Sequence, residues 1–91
     1  MRSETGQAWQ SFFESWPPSL PQEGIVVTSF QETIPFSRFM IADGLLALER
    51  DKPDSIGSRK VILGFAAISA VKMTDTGDFG RFAQMGFNEP G

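Results

Sequence analysis

Phe39-Met40-Ile41-Ala42-Asp43-Gly44-Leu45-Leu46-Ala47-Leu48 sets two short apolar runs on either side of Asp-Gly. That dipeptide between apolar runs is among the strongest short-range hairpin signals, because a type I′ turn needs positive φ at both central residues. A second apolar stretch, Val61-Ile62-Leu63-Gly64-Phe65-Ala66-Ala67-Ile68-Ser69-Ala70-Val71, follows a polar loop. Runs this short predict strands of a small closed or nearly closed sheet, so the chain reads as a β-rich domain.

Working outward, Gly24 to Phe30 is β-branched and aromatic and predicts a first strand, with Gln31 to Pro35 as a turn or bend. The second strand spans Phe36 to Ala42 and the third Leu45 to Arg50. Asp51 to Ser58 is a polar loop punctuated by Pro53 and Gly57. A fourth strand spans Arg59 to Phe65, and Gly64 with Ala66-Ala67 marks a tight corner of 3₁₀ type. The fifth strand is Ile68 to Met73. Neither of its faces is cleanly polar, which suits burial on both sides or an edge paired with another chain.

The flanks differ in character. Thr5 to Trp16 predicts a helix, since Ala8, Trp9, Phe12, Phe13 and Trp16 share one face. Thr5 serves as its N-cap, and Pro17-Pro18 forbids continuation. Three turns do not hold alone, so this helix must dock, as a lid on the barrel end or as an anchor for a partner. Residues 74–91 are rich in Gly and Phe; disorder is the default for such a terminus, but Phe79, Phe82 and Ala83 allow one or two helical turns and the Phe residues favour partial docking.

Ninety-one residues make a single domain with a modest core: helix 5–16, barrel 24–73, tail 74–91. There is no Cys and no His. Disulfides, thiolate zinc sites and cysteine nucleophiles go with the first, and the commonest general base and metal ligand with the second. The missing Cys fits a reducing, cytoplasmic compartment. No stretch has the length of a membrane span, and Arg2-Ser3-Glu4-Thr5 does not read as a signal peptide. The net charge of −3 is unevenly spread. Residues 36–72 carry a small basic excess, either ordinary surface charge or a barrel face suited to an anionic partner.

The chemistry-bearing residues are few. Asp43, Glu49, Asp51 and Asp54 are the one local carboxylate cluster, and they read as solvated turn residues without EF-hand spacing. No Ser has a His to activate it, and no Gly loop ends in a phosphate-binding Lys. The chain therefore reads as a non-enzyme with no cofactor and no metal.

A helix and five strands with a corner before the last resemble the Sm-like fold, a strongly bent SH3-type barrel, over about residues 5–73. Ala67-Ile68-Ser69-Ala70-Val71 is similar to the Ala-Ile-Ser-Thr-Val of the bacterial Sm-like RNA chaperones, and Phe36-Ser37-Arg38-Phe39-Met40-Ile41 to their Phe-Asp-Gln-Phe-Val-Ile. Asp43 alternatively matches the Asp of the first Sm motif, which shifts the register. The departures bear on function. Where those chaperones carry Tyr-Lys-His, this chain has Gly64-Phe65-Ala66; the motif Asn is Leu46, and Ile-Arg-Gly becomes Ile62-Leu63-Gly64. The resemblance thus implies the fold with weak RNA binding or none, at Arg38, Phe39, Lys60 and Phe65. It also implies a homo-oligomer of ring type through the fourth and fifth strands at Val61, Leu63, Ile68, Val71 and Met73. A rival resemblance is to the bacterial PH and GRAM pattern, a protein- or lipid-binding module. Ala42, Leu45 and Leu63 stand where that pattern has Thr, Arg and Pro.

Overall fold

The computed structural model describes residues 4–90; the reading of Arg2 and Ser3 lies outside them. The protein is mainly β, an N-terminal helix with two three-stranded antiparallel sheets. Helix α1 covers Glu4–Glu14; the strands are β1 Gly24–Thr28, β2 Thr33–Phe36, β3 Arg38–Ala42, β4 Leu45–Glu49, β5 Lys60–Gly64 and β6 Ile68–Met73. The sheets run β2-β1-β6 and β3-β4-β5.

Two expectations for the strands change. The strand foreseen from Phe36 to Ala42 begins earlier and is broken. Thr33–Phe36 forms β2 where a bend was expected, and Ser37 separates it from β3. Pro35 is tolerated there because β2 lies at a sheet edge, where a missing N–H costs no ladder bond. At the break, the Ser37 N–H donates to the Glu49 carbonyl at 2.8 Å, which carries the chain from one sheet into the other. The five-stranded bent barrel, expected closed or nearly closed, is the second correction, since six strands lie in two separate sheets. Strands β5 and β6 meet at a 3₁₀ corner, Phe65–Ala67, without pairing, so the two sheets stay open along that line.

The Asp43-Gly44 turn does join β3 to β4, with Ala42 opposite Leu45. Only Gly44 has positive φ, at 78°, so the turn is not the type I′ expected. Its backbone is held from two sides. The Gly44 N–H donates to Gln10 Oε1 at 2.9 Å, and the Gly44 carbonyl accepts the Phe65 N–H at 3.1 Å. The hairpin tip is thereby tied to both α1 and the corner.

The core is aromatic. Phe13 stacks on Trp16 with centroids 5.6 Å apart and meets Phe39 edge-on at 5.0 Å. Phe36 of β2 and Phe65 of the corner complete the ring around it, so one helix side chain seals both sheets. Thr5 lies within α1 and not before it, and the helix stops at Glu14. Trp16 sits just beyond, its Nε1–H donating to the Leu20 carbonyl at 3.1 Å. Ala8 is exposed, and Gln10 takes a buried place on that face. In the tail, Phe79–Met85 forms a 3₁₀ helix ended by Gly86 at φ 96°. Met85 packs against the core and Phe87 meets Phe12 edge-on at 6.2 Å. No helix among the described residues is long and apolar enough to cross a membrane.

Candidate functional site

Three surfaces carry the chemistry. The first is the outer face of β3-β4-β5. Pairing puts Arg38 opposite Glu49 and Glu49 opposite Lys60, one row across the sheet. Side chains alternate between faces, so the next row outward is Met40, Ala47 and Ile62, and the third Ala42, Leu45 and Gly64. Met40 is 73 % exposed and Ile62 71 %, an apolar patch beside a charged strip. Beyond the charged row the chain stays paired into the loop, where the Arg50 N–H donates to the Arg59 carbonyl at 2.8 Å and Arg50 Nε to the Lys52 carbonyl at 3.3 Å. Five of the eight basic residues, Arg38, Arg50, Lys52, Arg59 and Lys60, therefore gather at one end of this sheet. Arg50, Lys52 and Arg59 were not singled out from sequence; the basic excess of residues 36–72 was the available signal.

Of the residues suggested for nucleic acid, the structure brings Arg38 and Lys60 into that row, with Glu49 between them. Arg38 pairs with Glu49 at 3.7 Å across exposed side chains. Phe39 lies on the other face, half-buried against Phe13 and Trp16. Phe65 is 1 % exposed and offers no face for a base to stack on. The four do not form one surface.

The second surface is the pair of open edges at β5 and β6, two of the four edge strands of the sheets. Strand β5 hydrogen-bonds to β4 alone and β6 to β1 alone. Val61, Leu63, Val71 and Met73 are half-buried along these strands, while Ile68 is in the core and has only its main chain to offer a neighbour. The third surface is an apolar groove between α1, β6 and the tail, lined by Trp9, Phe12, Val71, Met73 and Phe82 among others.

Of the four carboxylates, Asp54 holds the loop together. Asp54 Oδ1 accepts the N–H groups of Ser58 at 2.8 Å and Ile56 at 3.0 Å. The Ser58 bond leads in holding its carboxyl below the usual range, with Ile56, nearby Arg50 and Gly57 adding to it. Among the described residues no three acidic side chains come together as a metal site. No family model, curated protein or solved structure gives a significant match to this chain.

Proposed function

We propose that this chain is a self-assembling binding or scaffold module of Sm-like type, with weak RNA affinity or none and no catalytic role. The observation that supports the reading is the pair of open edges. Of the four edge strands of the two sheets, β5 and β6 lie on either side of one corner and leave two unpaired rims there. An unpaired rim of main-chain donors and acceptors invites another chain. Placing β5 of one copy on β6 of the next is a head-to-tail contact that closes into a ring when the rotation allows. Lys60 and Lys72 are the only charges within the two rims, too few to oppose pairing.

Weak RNA affinity follows from the scattered candidates and the partnered Arg38. The PH or GRAM alternative has less support, since the short 3₁₀ helix Phe79–Met85 buries no residue and is a poor closing helix.

Light scattering across a dilution series tests the assembly. A multiple of the 10.0 kDa chain mass is expected at micromolar concentration. A monomer with intact circular dichroism overturns it. Retention on poly-U is expected to be slight and to vanish with modest salt. Tight retention lost on Arg38→Ala or Lys60→Ala would show a working RNA surface.

A further inference from the structure

The groove shares Val71 and Met73 of β6 with the proposed rim, while its other walls come from α1 and the tail. Its volume is about 640 Å³, within the span of roughly 300–1,000 Å³ typical of small-molecule sites. Trp9 and Phe12 come from α1, Val71 and Met73 from β6, and Phe82 and Phe87 from the tail. Edge-on contacts of Phe87 with Phe12 and with Phe82, both at 6.2 Å, fix the tail as a wall of the groove. Apolar surface of this kind holds water poorly, so a body that fills it gains the burial of both partners.

The polar side chains of the lining are Asn88 and Glu89, both exposed and so at the mouth. No basic side chain lines it among the described residues. Arg81, on the same 3₁₀ helix, is turned to Asp75 at 3.4 Å. An anionic end group would face Glu89 without a counter-charge. A cationic one gains from it, and an uncharged one hydrogen-bonds to the Asn88 amide.

We propose that this groove binds a small apolar molecule with a cationic or uncharged polar end, its body against Trp9, Phe12 and Phe82 and its end at Asn88 and Glu89. The test titrates the full chain with decyltrimethylammonium, decanol and decanoate, each below micelle formation. Tryptophan emission and calorimetry read binding, and circular dichroism reads the fold. Saturable one-to-one binding of the first two is expected, with decanoate weaker by about threefold or more. In Trp9→Phe the emission change is expected to shrink and the calorimetric affinity to fall, since Trp9 is part of the wall. Phe82→Asp weakens binding about tenfold or more by placing a carboxylate in the apolar wall. Should Phe82→Asp disturb the fold, Phe79→Asp, at a position 76 % exposed, weakens decanol binding by about threefold or more, decanol having no charge to gain from the new carboxylate. Glu89→Lys reverses the order of the charged end groups. Non-saturable binding, indifference to the aspartate variants, or a preference for decanoate in the natural chain overturns the proposal.

Discussion

Gln10 shows how a single polar side chain can hold two elements in register. It is buried on α1, accepts the Gly44 N–H and donates from Nε2 to Glu14 at 3.3 Å. Gln10→Leu keeps the bulk and removes the bond, and a loss of about 1–2 kcal/mol in urea unfolding is expected. Gly24 is constrained differently. A Cβ there would stand 2.7 Å from the Lys72 carbonyl oxygen and 3.3 Å from the Phe36 ring. Since the nearer atom is backbone, Gly24→Ala must push β1 from β6, and about 1–3 kcal/mol of destabilisation is expected. Asp54 gives a pH effect. Its carboxyl is lowered in the fold, so its contribution is present above the unfolded value of 3.8 and is lost as pH falls through the folded one. The amide resonances of Ile56 and Ser58 should shift together in that acid range, and in Asp54→Ala they should lie at the shifted positions at neutral pH.

Among the elements, α1 depends most on its docking. Its 11 residues are too few to hold a helix alone, so packing of Phe13 decides it. Phe13→Ala costs about 3–5 kcal/mol, a large part of the roughly 5–15 kcal/mol that stabilises a domain. Loss of near-ultraviolet dichroism and an early urea midpoint are expected, with Phe13→Leu milder. The helix, the hairpin across Asp43-Gly44, the corner at Phe65–Ala67 and the span of β6 were legible because each rests on local signals: periodicity, a turn dipeptide, small residues, an apolar run. Strand β2 was hidden because Pro35 argues against a strand, and only the pairing of Ile25 with Pro35 at an edge reverses that argument. The groove was illegible for a related reason. Its walls come from residues more than sixty positions apart, and no spacing rule joins Trp9 to Phe82. The Asp-Gly signal located the turn, but its backbone geometry answers to Gln10 and Phe65, which sequence did not place beside it.

At the scale of the whole molecule, the exposed Met40 and Ile62 make a face that contributes little to folding. The double change Met40→Lys, Ile62→Lys is expected to shift unfolding by no more than about 1 kcal/mol, since surface substitutions usually stay within about 0.5 kcal/mol each. It should lower precipitation at high concentration, and an unfolding curve with a solubility limit checks both. The sheet order has another consequence, for the timing of folding. In sheet β3-β4-β5 each strand pairs with its neighbour in sequence, so that half can zip up from a nearby turn. The other half needs β1 to find β6, Gly24 opposite Met73, across most of the chain. Long loops close late, because the entropy of bringing their ends together is lost before the contact is gained. On the ribosome, β1 therefore waits until residue 73 has cleared the exit tunnel, its Ile25-Val26-Val27 run paired with β2 at most on one side. The nascent chain is at its most adhesive in that interval, and slowing translation across residues 50–73 should raise the yield of aggregated product more than slowing it after residue 73.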